Sequence, residues 1–270
     1  MSIYMWREYV APVIDYLCFT ANTASSTVQL NKAWSPYSVT LETSTDGSTR
    51  TTYTIGSAIT LSNIWDKVYW RNTSETTAKF SSSASDYYRF WATWSLQVSW
   101  DVTSLINKNC TDTLDWNYTF CRLFATNANN NHDWFTSCPK IPATTLTGYC
   151  YYQMFRNCTW LTTATELPAT TLMGSCYYEM FRYCPNLEQL PKLPTLTLTA
   201  NCYTGMFRNC SKIKISSSQT WEYQTAYRIP TTGTGTSTSS SLTYMFSWTW
   251  WTYTSSPSIN TTYYTSNTLV

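Results

Sequence analysis

Between residues 114 and 216 the apolar positions recur at a fixed spacing of 26 residues. Met154-Phe155, Met180-Phe181 and Met206-Phe207 mark the period. Cys150, Cys176 and Cys202 precede these pairs, Cys158, Cys184 and Cys210 follow them, and Pro142, Pro168 and Pro194 keep the same register. A period of this size predicts a solenoid, whose units bury their apolar faces only against one another. Within one unit Cys150, Tyr151, Met154, Phe155 and Cys158 fall at i, i+1, i+4, i+5 and i+8, which predicts one face of a short helix. Thr147 or Gly148 would open that helix, and Asn157 would end it in a left-handed conformation. Leu161, Ala164 and Leu167 recur as Leu187, Leu190 and Leu193 in a Thr-rich stretch that predicts a short strand, closed by the following proline.

A degenerate copy comes first, with Leu123-Phe124 standing for Met-Phe and Phe135, Cys138 and Ile141 in register with Leu161, Ala164 and Leu167. Its extra residues fall in the Asn-rich run from Asn127 to His132, expected to be a surface loop. Met245-Phe246 predicts an atypical C-terminal cap within 217–270. Upstream the pattern changes to short alternating segments split by turn residues: Leu17–Phe19, Thr27–Leu30, Ser38–Thr43, Thr51–Ile55, Ile59–Leu61, Lys67–Arg71 and Tyr87–Trp91. Asp46-Gly47 is a strong hairpin signal. Seven short strands predict an immunoglobulin-like β-sandwich over 17–109, and Asp101 to Asn109 should cross into the repeats at 110–216, with Leu105 and Ile106 starting the first buried layer. The expected class is therefore α+β, mostly β.

The run Met154-Phe155-Arg156-Asn157-Cys158-Thr159-Trp160-Leu161, with Leu167-Pro168-Ala169-Thr170-Thr171-Leu172, resembles the BspA-like leucine-rich repeats. Residues 18–110, notably Ser44 to Thr49 and Asp66-Lys67-Val68-Tyr69, resemble the β-rich domain that precedes such repeats in proteins of gut bacteria and their phages. The resemblance implies a surface-exposed interaction protein and no catalysis.

Charge narrows the partners. A formal net charge of +2 with only 12% charged residues gives no general attraction to nucleic acid or a membrane surface. No apolar run is long enough to span a bilayer, and Met1 to Tyr16 carries Arg7, Glu8 and Asp15, so no signal peptide is recognisable there. Residues 1–16 are expected to be an attachment segment. Ten cysteines would suggest disulfides, but the repeated ones read as small buried hydrophobes. A zinc site is not expected with a single histidine, His132.

No catalytic constellation, cofactor motif or metal site is expected. Gly233 and Gly235 lie in a Thr-rich run without the lysine of a phosphate loop, and 230–240 is expected to be a flexible linker. Two candidate binding features remain. Arg156, Arg182 and Arg208 repeat with the period and should align near helix C-termini, where the helix dipole favours cations and where an anion could also be read. Trp160 and Trp134 are the other candidates, as aromatic platforms.

Tryptophan placement is unusual. Trp65, Trp94, Trp100, Trp221, Trp248, Trp250 and Trp251 sit beside Asp, Ser, Thr or Glu, where turns favour small residues such as glycine. They are read either as partly buried covers for loop ends or as exposed platforms. A third reading is that the codon specifies another residue. The expected function is a non-enzymatic adhesion or receptor-binding protein, extracellular on a cell surface or phage virion, whose partner is a host-surface protein or glycan. The alternatives are a structural virion protein (fibre or decoration subunit) contacting other virion proteins, or a carbohydrate-binding module. Homo-oligomerisation is possible in any of these, although no heptads support it.

Overall fold

The computed structural model describes residues 16–33, 37–126, 134–249 and 253–270. These residues are mostly β, with no α-helix among them and a single 3-10 turn at Val102–Leu105. The expected attachment segment lies almost wholly outside the described residues, as do the Asn-rich loop with His132, Trp250 and Trp251.

Each of the seven predicted N-terminal segments carries a strand: β1 (Leu17–Ala21), β2 (Ser26–Ala33), β3 (Leu41–Ser44), β4 (Thr51–Thr52), β5 (Ile59–Leu61), β6 (Lys67–Asn72) and β7 (Tyr87–Ala92). An eighth, β8 (Leu96–Ser99), was not anticipated, because it offers only Leu96 and Val98 as alternating apolar residues. Two antiparallel sheets result, in the orders β4-β3-β6-β1-β8 and β5-β2-β7. They face one another through Phe19 of β1 and Phe90 of β7 (4.7 Å between centroids) and through Trp70 of β6 and Phe90 (5.1 Å). At the β3–β4 hairpin, Asp46 accepts hydrogen bonds from the N–H groups of Ser48 and Thr49 and from the Ser44 hydroxyl. Those bonds hold its carboxyl well below the usual range.

Asp101 caps the 3-10 turn by accepting from the Thr103 N–H, and Leu105 and Ile106 are buried as expected. The edge of β8 is then covered rather than left open: Leu96 N–H donates to the Trp134 carbonyl, and Thr136 N–H to that of Leu96. The core runs on without a break, since Phe124 packs on both Phe90 (5.5 Å) and Phe155 (5.2 Å).

The predicted short helices do not form. In the unit around Met154, alternate N–H groups close tight i→i−3 turns (Tyr152 to Tyr149, Met154 to Tyr151, Arg156 to Gln153, Cys158 to Phe155). The others leave the unit altogether: Tyr151, Gln153, Phe155 and Asn157 donate to the carbonyls of Cys176, Tyr178, Met180 and Arg182. Every fourth residue is left-handed, with φ of 57° at Tyr149, 54° at Gln153 and 64° at Asn157. Four residues per double turn buries 150, 151, 154, 155 and 158 just as an amphipathic helix would, which is why spacing alone misled. The left-handed residues cost about 1–2 kcal/mol each. Offsetting this are the hydrogen bonds between units and an aromatic column, Phe124–Phe155–Phe181–Phe207–Phe246, with neighbours 5.2–5.8 Å apart and within 7° of parallel.

The strand predicted over Leu161–Leu167 is also absent. Units are joined there by isolated bonds, such as Thr162 N–H to Thr136 and Glu188 N–H to Thr162, and the second and third units have strands of two residues each, β9 (Gln189–Leu190) and Ile215–Ser216. Pro168 and Pro194 follow within a few residues and supply no donors, so no ladder can extend.

The repeated core residues Cys150, Met154, Phe155, Cys158, Leu161, Cys176, Met180, Phe181, Cys184, Leu187, Cys202, Met206, Phe207 and Cys210 are all fully buried, and no disulfide joins any cysteine. The thiols serve as donors. Cys158, Cys184 and Cys210 point S–H at the carbonyls of Phe124, Phe155 and Phe181 (3.1, 3.1 and 2.9 Å). The stacked Tyr151 and Tyr177 are fully buried with hydroxyls that find no partner. Replacing both with Phe removes two desolvated groups without opening a cavity. The variant is expected to match or exceed the parent by up to about 1 kcal/mol per site in chemical denaturation. A loss at either site would mean that the hydroxyl is satisfied.

The C-terminal residues fold back onto the repeats. β10 (Thr197–Leu198) pairs with β13 (Thr236–Ser237) and β9 with β15 (Thr268–Leu269), both parallel. β11 (Ile215–Ser216), β12 (Thr225–Arg228) and β14 (Thr262–Thr265) form an antiparallel sheet in the order β11-β14-β12. The expected linker at 230–240 is therefore ordered. Gly235 packs so closely that a Cβ there would lie 2.6 Å from the Leu196 carbonyl oxygen. Its apparent flexibility in sequence came from Thr and Gly content, which says nothing of pairing partners far along the chain.

Candidate functional site

Two surface features emerge from the repeat. The first is aromatic. Trp134 and Trp160 are one period apart, and stacking of the units brings their rings to 4.7 Å at 15°. Trp94, on the turn before β8, adds a third ring 6.1 Å from Trp134. Trp160 remains 47% exposed and Trp94 53%. The next unit places Asn186 where Trp160 stood, with its Nδ2 donating to the Thr159 carbonyl, so the indole stack ends at a smaller, polar side chain. Trp134 and Trp160, the two aromatic candidates of the sequence, thus form one stacked pair.

The second feature is polar and only half legible in the sequence. Arg156, Arg182 and Arg208 do occupy equivalent places on successive units, since Asn157 N–H donates to the Arg182 carbonyl and Tyr183 N–H to that of Arg208. They lie in a run of turns, so the expected helix dipole is absent and cannot be what favours them. Their partners differ. Arg182 pairs with Glu179, and Arg156 Nε stands 3.9 Å from the other Glu179 oxygen. Arg208 has no carboxylate within salt-bridge distance among the described residues; its guanidinium lies over the Tyr244 ring at 5.4 Å. The Nε atoms of all three are buried without a hydrogen-bond partner.

Glu179 is the residue that sequence reasoning passed over. It is 5% exposed and anchors a chain of side chains crossing three units: Arg122 Nε donates to Gln153 Oε1, and Gln153 Nε2 donates to Glu179 Oε2, each at 2.8 Å. Arg122, Gln153, Glu179, Gly205 and Tyr244 hold one left-handed column, with φ between 49° and 60°. The signal in the sequence was the varied residue directly before each Met-Phe pair, which points to one side of the turns. Beside this column lie two clefts. One of 230 Å³ is lined by Tyr87, Arg89, Arg122, Gln153 and Arg156, and one of 370 Å³ surrounds Gly205. At the second cleft, burial and the neighbouring Glu179 raise the Tyr178 hydroxyl pKa, and Arg182, Arg156 and Arg208 only partly oppose them.

As chemistry, these surfaces can stack rings, donate hydrogen bonds and hold an anion. Burial pushes the thiols of Cys150, Cys176, Cys184, Cys202 and Cys210 up, the last two to about 12, which keeps these protonated at neutral pH. Among the described residues no three His, Cys, Asp or Glu side chains gather to hold a metal ion, and no helix is long and apolar enough to cross a membrane. No family model matches this chain, and neither a curated protein nor a solved structure is significantly similar to it.

Proposed function

We propose that the chain is a non-enzymatic, surface-displayed adhesion or receptor-binding protein. In this reading residues 17–109 form an immunoglobulin-like β-sandwich, 110–216 a BspA-like leucine-rich-repeat solenoid and 217–270 its cap. The observation that carries it is the exposed Trp94–Trp134–Trp160 edge. Trp94 and Trp160, each about half exposed, leave apolar surface in water on either side of the part-buried Trp134, and aromatic residues of this kind dominate binding interfaces. Repetition supports the same reading, because one stacked unit after another extends a surface in one direction. The partner is a host-surface protein or glycan that lays a flat apolar face against the rings.

The test is binding of the full chain to host cells and to an immobilised glycan panel. Trp160→Ala is expected to lower affinity about tenfold, or about 1.4 kcal/mol. Trp134→Ala with Trp160→Ala should lower it further, while the melting temperature of the single variant stays close to that of the parent because Trp160 is exposed. Undiminished binding by both variants would sink this reading.

A further inference from the structure

The side-chain chain that links Arg122, Gln153 and Glu179 stops abruptly at the next unit, where the column position is Gly205. A Cβ there would meet Glu179 Cγ at 3.1 Å, and beyond it the 370 Å³ cleft opens, walled by Tyr178 from the unit before and Tyr244 from the unit after. That volume falls within the range of small-ligand sites, about 300–1,000 Å³.

The charge balance at this cleft is uneven. Glu179 is engaged by Arg182 and Gln153, with Arg156 close behind, so one carboxylate answers two guanidiniums before Arg208 is counted. Glu179 and Arg208 both line the cleft, but Glu179 is taken up by Arg182 and Gln153, whereas Arg208 has no carboxylate within salt-bridge distance among the described residues and is braced over the Tyr244 ring. A guanidinium fork held against an aromatic face is pre-set for a bidentate carboxylate. Asn201 and Thr243 add neutral hydrogen-bonding groups on the lining, of the kind that pair with hydroxyls. A single unpaired cation matches a monoanion better than a phosphate dianion.

We infer that the Gly205 cleft binds a carboxylate-bearing sugar, with the carboxylate on Arg208 and the ring lying between Tyr178 and Tyr244. Its biological sense rests on the adhesion reading above, but the site is separate from the tryptophan edge.

The experiment is a saturation-transfer NMR titration of the full chain with glucuronic acid and N-acetylneuraminic acid as probes, against glucose and N-acetylglucosamine. At least one acid is expected to bind with Kd on the order of 1 mM, and the neutral sugars about tenfold more weakly. Arg208→Ala should lose about tenfold in affinity, with Arg208→Lys in between. Gly205→Gln should block the cleft while the chain still folds, because Gln153 holds the equivalent position at φ 54° in the first unit. Trp160→Ala should bind the acids as the parent does. Which acid binds distinguishes a sialic from a uronic ligand. Equal binding of acid and neutral sugars, unchanged affinity in Arg208→Ala, no binding of either acid, or equally strong displacement by inorganic sulfate would each overturn the inference. Loss in Trp160→Ala but not in Arg208→Ala would also overturn it, by moving the ligand to the tryptophan edge and leaving the adhesion reading intact.

Discussion

Replacing Trp65, Trp94 and Trp248 together with glycine is expected to stabilise the protein by about 2 kcal/mol, a rise of about 2–4 °C in melting temperature for each kcal/mol. All three are left-handed, with φ of 73°, 79° and 64°, a conformation costing an L-residue about 1–2 kcal/mol of steric strain that glycine avoids, at a smaller entropic cost of about 0.4–1 kcal/mol. Their side chains recover little of that strain, being 69%, 53% and 60% exposed, although Trp94 also meets the Trp134 ring at 6.1 Å and is the smallest contributor of the three. Other left-handed residues are compensated: Tyr149 stacks on Tyr118 at 4.6 Å, and Gln153 and Glu179 join the polar chain. Trp248 occupies the column of Asn157, Tyr183 and Asn209, where asparagine tolerates the geometry at low cost. Trp100, at φ 65°, is left out of the variant because its ring rests on Tyr69 at 5.3 Å. Differential scanning calorimetry of the triple variant measures the effect, and an unchanged or lower melting temperature would show that the indoles are held by contacts stronger than their exposure suggests. The intact mass of the chain from its natural source reads directly whether these positions carry tryptophan or glycine.

Glu179→Ala is expected to cost about 3 kcal/mol in equilibrium denaturation at neutral pH. Removing one member of a buried pair leaves the other charge desolvated and uncompensated. Here Arg182, 17% exposed at its side chain, loses its partner, Arg156 loses its nearest anion, and Gln153 Nε2 loses its acceptor. Glu179→Gln keeps an acceptor near both and should cost less than half as much. Combining Glu179→Leu with Arg182→Met removes both charges together and should recover most of the loss, as apolar replacements of buried pairs often do. If Glu179→Ala melts like the parent, the carboxylate is better hydrated than its 5% exposure indicates.

The repeat explains why so much of the core was readable and why the backbone was not. Phe155, Phe181 and Phe207 had to be buried at equivalent points because each unit has only its neighbours to pack against, and no feature of the folded chain could alter that. Whether the segment carrying them was a helix depended on where Tyr151, Gln153 and Phe155 send their N–H groups. A four-residue period and a 3.6-residue period bury the same residues over a span this short, so the pattern could not decide. The seven N-terminal strands were legible because alternation with turn residues is a local signal; β8 was not, because its place is secured by β1 and by residues 134–137.

At the candidate site the division is the same. The sequence by itself determined the period, the buried Cys, Met and Phe positions, the mostly β character and the spacing that sets Trp134 beside Trp160 and Arg156 beside Arg182 and Arg208. These follow from burial and repetition, which are properties of order along the chain. Only the tertiary structure decided that Glu179 neutralises Arg182 and stands near Arg156 but leaves Arg208 without a carboxylate, that Gly205 opens a cleft, and that 230–240 is pinned against Leu196. Ion pairs, clefts and close backbone approaches depend on distances between residues far apart in sequence, and those distances exist only once the units are stacked.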